Sequence, residues 1–411
     1  MIPRYASTTL RRLLAGFPVV TVTGPRQSGK TTMVKAELAG KPYISLESPA
    51  EREFAQRAPH DFLRRFPDGA IIDEAQRAPD LLSELQTVVD ADGRMGLFVL
   101  TGSQNLSLLA GVTQSLAGRN GILELLPLSL AELRDQKLAP LNQEDCLHRG
   151  FYPALHARPV SPHDWLQSYL ITYVERDARQ LSAIQDLNLF QRFIRLTAAR
   201  TGQLINTASL AGDAGVSEYT ARSWLSILET CYLIHYLRPH FNNFGKRLIK
   251  MPKLYFTDVG LAASLLGIQT AGQIAAHPLR GALFETMVVN EFVKARRNSG
   301  LREQIFFWRD NIGTEVDLIL EQGQVLAGVE IKSGSRVAGD AAASLRKWQK
   351  YAGDTTTILG VVYDPFLDEL WTGVQGGPAR LNGKMIHVSQ RRRLEETIVA
   401  MGFAKYTETL A

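Results

Sequence analysis

A glycine-led segment near the amino terminus carries the residue types and the spacing that bind a phosphate chain. Residues 19–32 read VVTVTGPRQSGKTT, in which Gly24, Gly29, Lys30 and Thr31 fit the pattern G-x-x-x-x-G-K-[ST]. Backbone N–H groups can wrap phosphates only where no bulky Cβ lies at the close approaches, and the two glycines meet that need. Lys30 is expected to reach the β- and γ-phosphates, and the Thr31 hydroxyl to ligate Mg²⁺. The predicted nucleotide-binding residues of this loop are Gly24, Pro25, Arg26, Gln27, Ser28, Gly29, Lys30, Thr31 and Thr32.

An apolar stretch that ends in two adjacent acids follows this loop along the chain. Residues 69–74 read GAIIDE, which predicts a buried strand that ends in Asp73 and Glu74. We expect Asp73 to hold Mg²⁺, directly or through water, and Glu74 to polarise the water that attacks the γ-phosphate. A buried strand with a solvated acidic turn is the alternative, but the intact loop upstream favours the catalytic interpretation. The two motifs together predict hydrolysis of ATP with Mg²⁺.

Two further segments carry polar residues that could act on the same nucleotide. Residues 97–101 predict a third strand, and Ser103 and Gln104 follow its carboxyl end, where ligands bind in a doubly wound sheet. These two residues are expected to sense the γ-phosphate or to position water, unless they only cap the next helix. Arg119 follows a small-residue turn in SLAGRNG. It is either an arginine finger supplied to a neighbouring subunit or a surface cation, and both interpretations stay open.

A second group of acids lies in the C-terminal third of the chain. The segment TEVDLILE carries Asp317, the segment VLAGVEIKSGS carries Glu330 and Lys332, and a preceding amphipathic helix carries Glu285. Side chains on a strand repeat every second residue, so Glu330 and Lys332 share a face, and a hairpin brings Asp317 beside them. Such a set can bind Mg²⁺ and activate water for phosphodiester cleavage. Exposed charges on a half-solvated strand pair are the alternative.

The elements that must position these residues fall into successive types along the chain. Strands alternate with helices over the first part, which predicts an α/β protein with the doubly wound parallel sheet of a P-loop NTPase. Residues 133–162 are interpreted as a link out of this sheet, and residues 164–181 as a helix that carries Arg176. Arg176 is interpreted as a helix-surface ion pair with Asp177, with nucleotide contact as the alternative.

The middle of the chain predicts a helix-turn-helix. Residues 206–215 give a short helix and a glycine turn, and a second helix starts after the capping residue Ser217. Basic residues in an alternating pattern then predict the β-wing of a winged helix, which contacts DNA phosphates or instead serves as a lid or a protein-docking module. The predicted DNA contacts are Glu218, Tyr219, Thr220 and Arg222 on the helix and Arg238, Lys246, Arg247, Lys250 and Lys253 on the wing.

Taken together, the motifs GPRQSGKT, IIDEAQ, LTGSQN, SLAGR, LPLSLAEL and YLITYVERDAR resemble those of bacterial and archaeal AAA-type ATPases that carry a restriction-endonuclease-like C-terminal domain of unknown function. The resemblance runs over nearly the whole chain. Asp317, Glu330 and Lys332 likewise resemble the core of the PD-(D/E)XK nucleases, although Val316 stands where that motif has proline. The resemblance implies a P-loop ATPase followed by a winged helix-like domain and an α/β nuclease-like domain.

Four domains are predicted on this basis: an AAA-type ATPase domain (1–138), a helical linker or lid (139–200), a winged helix-like domain (201–271) and a nuclease-like domain (272–411). The predicted function is an ATPase coupled to the binding or processing of double-stranded DNA. The alternative is a nucleotide-switched regulatory or scaffolding ATPase that binds protein partners and has an inactive nuclease-like domain. A homo-oligomer is expected if Arg119 acts on a neighbouring copy.

The amino-acid composition limits the class of protein to which these predictions can apply. The chain of 411 residues is 45% hydrophobic and 21% charged, which is typical of globular proteins with several domains. No apolar run reaches membrane-spanning length and no signal peptide is recognised, so we expect a cytoplasmic protein without membrane contact. The net charge of +5 permits contact with nucleic acid without requiring it. Cys146 and Cys231 are isolated and are expected to be inert, partly buried thiols.

Overall fold

The computed structural model describes residues 1–102, 115–140, 142–174, 184, 186–240, 251–301, 304–323, 325–333, 343–352, 356–357, 359–364, 369–374, 378, 380–381 and 384–385. Within these ranges, no helix combines the length and the apolar composition that a bilayer crossing requires. Of the predicted functional residues, Ser103, Gln104, Arg176, Lys246, Arg247 and Lys250 lie outside the described residues.

The amino-terminal part is built on a five-stranded sheet whose neighbouring strands are all parallel. The strand order is β2-β3-β4-β1-β5, and β1 is buried along its whole length between its neighbours. Continuous β-branched runs of this kind are typical of parallel strands covered on both faces. The predicted doubly wound sheet is therefore confirmed. Its strands are β1 (Val19–Thr23), β2 (Tyr43–Ser45), β3 (Ile71–Asp73), β4 (Phe98–Thr101) and β5 (Asn120–Glu124).

Helices connect the strands of this sheet, as the alternation of strands and helices predicts. The helical stretch between β2 and β3 is divided in two, because Pro59 follows Ala58, and a residue before proline is driven out of the helical region. A short 3₁₀ turn, Ala75–Arg77, follows β3. The helices are α1 (Ala6–Gly16), α2 (Lys30–Glu37), α3 (Pro49–Arg57), α4 (Pro59–Arg64) and α5 (Asp80–Asp92).

Residues 133–162, which were predicted to be a link out of the sheet, contain several helices. Pro153 and Pro162 occupy first helical turns, where the missing N–H costs nothing, so they start helices rather than break them. Two more helices precede these in the sequence. The Ser129 side chain caps the amino end of the first, and the Asn142 side chain caps the amino end of the second. The helix predicted up to residue 181 continues as a π-helical turn over Leu170–Val174. The helices are α6 (Leu130–Asp135), α7 (Gln143–Arg149), α8 (Pro153–Ala157) and α9 (Pro162–Tyr169).

The next segment contains a helix pair flanked by short strands. Gly215 ends the first helix of the pair with φ of 77°, and the Ser217 side chain caps the second by accepting from the Thr220 N–H at 3.1 Å. The strands after the pair form an antiparallel hairpin. The elements are α10 (Leu187–Ala198), β6 (Gln203–Leu204), α11 (Thr207–Ala214), α12 (Glu218–Thr230), β7 (Ile234–Pro239), β8 (Lys253–Phe256), α13 (Val259–Leu265) and α14 (Ala271–Ala276).

A seven-stranded sheet runs across the domain boundary predicted after residue 271. Its order is β12-β11-β10-β9-β7-β8-β6, and β7 pairs in parallel with β9. The third and fourth predicted domains therefore share one sheet. Four more strands form a separate antiparallel sheet. The elements are α15 (Arg280–Asn298), β9 (Ile305–Arg309), β10 (Glu315–Gln322), β11 (Val325–Val329), α16 (Ala343–Ala352), β12 (Thr356–Thr357), β13 (Leu359–Asp364), β14 (Glu369–Val374), β15 (Arg380–Leu381) and β16 (Lys384–Met385).

Both cysteines are buried free thiols, Cys146 on α7 and Cys231 after α12. Burial raises the pKa of Cys146 to about 12. This thiol therefore stays protonated at neutral pH and is a poor nucleophile, as expected from the sequence.

Candidate nucleotide site and carboxylate cluster

The loop between β1 and α2 needs glycine at two positions for backbone reasons. Gly24 has φ of +139°, and a Cβ there would lie 2.1 Å from the carbonyl oxygen of Leu125. Gly29 has φ of +92° and is the N-cap residue of α2. Both conformations are unfavourable for residues with a side chain. The loop therefore leads directly into the amino end of a helix, an arrangement that favours bound anions.

Lys30 lies within this loop. Its side chain is buried, and its Nζ donates to the carbonyl oxygens of Gly24 at 2.8 Å and Pro25 at 2.7 Å. The ammonium is thus already held beside the backbone that would wrap a phosphate. Phosphate oxygens would take over as acceptors for the same donor when a nucleotide binds.

Asp73, at the end of β3, lies beside the first turn of α2. The Thr31 Oγ1 donates to both Asp73 carboxylate oxygens at 3.3 Å, and the Tyr43 hydroxyl donates to Oδ2 at 2.7 Å. Thr101, the partner of Asp73 on β4, also donates its hydroxyl to the carboxylate. Hydroxyl and carboxylate oxygens are the hard ligands that Mg²⁺ prefers. Thr31 and Asp73 therefore fit the predicted metal position, and Tyr43 and Thr101 fix the orientation of the carboxylate.

Glu74 has an unusual backbone for a residue with a long side chain. Its φ is 56°, in the left-handed region, and its side chain is only 9% exposed. Burial raises the pKa of its carboxyl above the ordinary glutamate value, and the Gln76 Nε2 donates to its Oε2 at 2.5 Å. Strain of this kind persists where the surrounding structure enforces it, commonly at functional sites. A raised pKa brings the carboxylate closer to the value that suits a general base.

A cavity of about 530 Å³ brings these residues together. Part of its wall comes from segments that the sequence did not connect with the loop: Ile2 near the amino terminus, and Pro153, Ala154 and Arg158 at and after α8. Arg158 is exposed and adds a cation that the sequence analysis missed. The predicted residues that line the cavity are Arg26, Gln27, Gly29, Lys30, Thr31, Thr32, Asp73 and Glu74.

Arg4 is a buried arginine behind the loop. Its guanidinium donates to the carbonyl oxygens of Ser28 and Leu126, both at 2.7 Å, and to the Glu132 Oε1 at 3.0 Å. Glu132 in turn accepts from the Tyr5 N–H at 2.8 Å. Arg4 thus ties the phosphate-binding loop to the segment that follows β5 and to α6. The sequence gave no signal for this role, because the partners lie up to 128 residues away.

Arg119 lies at the amino-terminal ends of the strands, whereas the phosphate-binding loop lies at their carboxyl-terminal ends. Its carbonyl oxygen accepts from the N–H of Val19, which is the first residue of β1, whereas the loop follows the last. Its guanidinium forms a two-fold ion pair with Asp90 on α5, with Nη2 to Oδ2 at 2.8 Å. Arg119 therefore does not reach the nucleotide site of its own chain. Its role as a finger toward a neighbouring copy stays a prediction.

The predicted DNA-contacting residues divide into two sets. On α12, Tyr219 is 83% exposed, and Arg222 forms an exposed ion pair with Glu218 one turn earlier. These side chains are accessible to a partner. The prediction for Lys253 is wrong: it is 2% exposed and paired with carboxylates, so it does not contact DNA phosphates. Pattern alone could not show this, because its partners come from later elements.

The second acidic group does converge in space. One carboxylate oxygen from each of Glu285 on α15 and Glu315 and Asp317 on β10 lies within 4.8 Å of the other two. Leu318 pairs with Val329 across the hairpin, so Asp317 lies beside Glu330, which directly follows β11.

Hydrogen bonds and ion pairs order this cluster. The Ile331 N–H donates to Asp317 Oδ2 at 2.7 Å, and the Lys332 Nζ donates to Glu330 Oε1 at 2.6 Å. Burial, and then the charges of Glu285 and Glu330, raise the pKa of Asp317 to about 7. The predicted convergence is confirmed by these distances, whereas a metal-binding role stays a prediction.

Three family models match successive parts of the chain. The model described as AAA domain matches residues 16–134, which include the loop, Asp73 and Glu74. Two models described as domains of unknown function, DUF8612 and DUF4143, match residues 141–272 and 280–365. The amino-terminal part is thus an AAA domain with a P-loop fold.

Comparison with whole proteins adds relatives that match most of the chain. Uncharacterized protein Rv2008c of Mycobacterium tuberculosis is 33% identical over 334 residues, which are 81% of this chain and 74% of that protein. A short match of 41 residues, 10% of the chain, is 51% identical to Inositol monophosphatase 1 of Solanum lycopersicum and covers 15% of it. Among solved structures, the Walker-type ATPase PABY2304 of Pyrococcus abyssi aligns with 64% of this chain and 96% of its own, at 16% identity and a TM-score of 0.44.

Proposed function

The chain belongs to the same family as the mycobacterial protein Rv2008c, and we propose that it is an enzyme that binds ATP with Mg²⁺ and hydrolyses it. The observation that carries this proposal is the placement of Lys30, Thr31, Asp73 and Glu74 on the wall of one cavity. Lys30 would hold the β- and γ-phosphates, and Thr31 and Asp73 would hold the metal ion. Glu74 would take a proton from the attacking water.

Titration calorimetry tests the binding step directly. Wild-type protein should bind Mg²⁺ with ATP, and Lys30→Ala should lose this binding because the phosphates lose their buried cation. Lys35→Ala, on the same helix, is the matched control and should bind ATP like the wild type. Equal ATP binding by the Lys30→Ala and wild-type proteins would contradict the proposed phosphate site.

We further propose that ATP turnover is coupled to double-stranded DNA through a winged helix-like unit that contains α12. A short path supports the coupling: Tyr232 lies two residues beyond the end of α12, and its hydroxyl donates to the Thr23 Oγ1 at 2.8 Å. Thr23 immediately precedes Gly24 of the phosphate-binding loop. The exposed amino end of α12 and the nucleotide site are therefore joined by one helix and one hydrogen bond.

DNA-stimulated ATPase activity tests this coupling. Double-stranded DNA should raise the turnover rate, and the rise should fall steeply with salt, as phosphate contacts require. Arg222→Ala should reduce the stimulation. Arg57→Ala is the control, because Arg57 is likewise an exposed helix arginine paired with a glutamate one turn away. Basal turnover without stimulation by DNA at any salt concentration would favour the alternative, a regulatory or scaffolding ATPase that binds protein.

The proposal does not include cleavage of DNA. The predicted nuclease-like domain has carboxylates in convergent positions, but Lys253 places an ammonium group between Glu285 and Glu315. An ammonium group in this position would compete with a divalent cation for the two carboxylates, so we propose no cleavage step. The pairing of Lys253 with Glu285 and Glu315 is the specific observation that favours the inactive nuclease-like domain of the alternative function.

Assembly is proposed to depend on Arg119. If this residue acts on a neighbouring copy, its pair with Asp90 must open, and specific activity should rise with protein concentration. A specific activity that is constant over the concentrations at which the protein sediments as a monomer would leave Arg119 as a surface cation.

A further inference from the structure

A buried lysine lies among the carboxylates of the C-terminal cluster. The Lys253 Nζ donates to Glu285 Oε1 at 2.8 Å and also pairs with Glu315 Oε1. The lysine side chain is 2% exposed. The Tyr255 hydroxyl, from the same strand, donates to Glu285 Oε1 at 2.6 Å. Two of the three convergent carboxylates are therefore already engaged by β8.

Three further contacts engage Glu315, Asp317 and Glu330, and they leave the buried Glu330 Oε2 without a hydrogen-bond partner. The Arg309 Nη1 donates to Glu315 Oε2 at 2.9 Å. Asp317 accepts from the Ile331 N–H, and Glu330 accepts from Lys332. The cluster thus contains four carboxylates, from Glu285, Glu315, Asp317 and Glu330, and it faces three cationic side chains, from Lys253, Arg309 and Lys332.

A divalent cation shared by Glu285 and Glu315 would need a position close to that of the Lys253 ammonium. Mg²⁺ and Ca²⁺ bind carboxylate oxygens at about 2.0–2.6 Å, so such an ion would lie between the two carboxylates. The ammonium group already contacts one oxygen of each of them. An ion and an ammonium at that distance repel each other strongly in a site with little water. Metal binding would therefore require Lys253 to leave a buried position.

We propose that the Lys253 ammonium is the built-in cation of this cluster, so that the cluster is closed to divalent metal ions and does not cleave phosphodiester bonds. The cluster instead joins three elements of the chain, because Lys253 belongs to β8, Glu285 to α15 and Glu315 to β10. The strands β8 and β10 belong to the seven-stranded sheet and lie on opposite sides of the predicted domain boundary in the sequence. The inference is independent of the proposed ATPase activity.

Binding of Mn²⁺ alone, followed by electron paramagnetic resonance on the full chain without nucleotide, tests the proposal. Lys253→Met keeps the length of the side chain and removes its charge, and it should bind one more Mn²⁺ per chain than the wild type. A second substitution, Asp317→Asn, should abolish that gain. Lys350→Met is the matched control, because Lys350 is an exposed lysine on α16 and its loss should add no site.

Two results would overturn the proposal. One is a wild-type Mn²⁺ site that Asp317→Asn removes, since the cluster would then accept metal with Lys253 in place. The other is a folded Lys253→Met protein with no additional Mn²⁺, since another feature would then exclude the metal. If Lys253→Met does not fold, the comparison of wild type with Asp317→Asn decides alone, and equal Mn²⁺ binding by these two proteins supports the proposal.

Discussion

Replacement of Arg4 by methionine should lower the free energy of unfolding by about 3–5 kcal/mol, the usual cost of removing one partner from a buried ion pair. Arg4 and Glu132 have side-chain exposures of 5% and 0%. The substitution leaves the Glu132 carboxylate without its cation and leaves the carbonyl oxygens of Ser28 and Leu126 without their donor. Because Ser28 belongs to the phosphate-binding loop, the affinity for ATP should fall as well.

Thermal unfolding monitored by circular dichroism gives the magnitude. At the roughly 2–4 °C per kcal/mol that is typical of domains of 150–250 residues, the melting temperature should fall by about 10 °C. Arg11→Met is the control, because Arg11 lies only seven residues after Arg4, on α1, and forms an exposed ion pair with Glu37. Exposed pairs contribute little, so this variant should melt like the wild type.

The double variant Arg4→Met with Glu132→Gln separates the ion pair from simple packing. With the carboxylate neutralised, loss of the arginine should cost clearly less than it does alone, so the double variant should be destabilised by less than the sum of the two single variants. The reasoning is refuted if Arg4→Met and Arg11→Met melt at the same temperature, or if the costs of the two single substitutions simply add.

Three further outcomes follow from the geometry of the nucleotide site. Gly24→Ala should abolish ATP binding, because the added Cβ would lie 2.1 Å from the Leu125 carbonyl oxygen. Gly40→Ala is the control and should bind ATP normally in calorimetry, because its Cβ would meet nothing within 4 Å. The rate of ATP hydrolysis should fall on acidification through a pKa above the ordinary glutamate value of 4.5, because burial raises the pKa of Glu74 and only its deprotonated form accepts a proton; a pH–rate profile without such a limb would contradict its role as the base. Arg158→Ala should raise the Michaelis constant for ATP, and an unchanged constant would exclude its contact with the phosphates.

Much of the amino-terminal site could be predicted because its functional residues belong to short, contiguous sequence motifs. The loop, the strand before it and the helix after it are contiguous, and Asp73 and Glu74 end a strand of the same sheet. Parallel strands align their carboxyl ends, so separate motifs meet without any knowledge of packing. Arg4 and Arg158 could not be found in this way, since they reach the cavity through tertiary packing of segments that have no common pattern.

In the C-terminal cluster, the spacing of residues along the sequence could have identified one further member, Glu315, but not another, Lys253. Glu315 was missed although a signal was present, because residues two apart on a strand share a face and Asp317 was already identified. Lys253 carried no such signal. Its alternation with apolar neighbours fits an exposed wing as well as a buried strand, and its partners Glu285 and Glu315 lie 32 and 62 positions later in the sequence. Only the packing of β8, α15 and β10 against one another brings them together.

A single-turnover comparison of wild type and Glu74→Gln tests the central claim of ATP hydrolysis most directly. Both proteins are loaded with Mg²⁺ and ATP, and bound nucleotide and released phosphate are measured in the same sample. We predict equal ATP binding, with phosphate release slowed by about 10²–10⁴-fold in Glu74→Gln, which is the usual contribution of a general base. Equal rates of phosphate release in the two proteins, or ATP binding by the wild type without any phosphate release, would contradict the account.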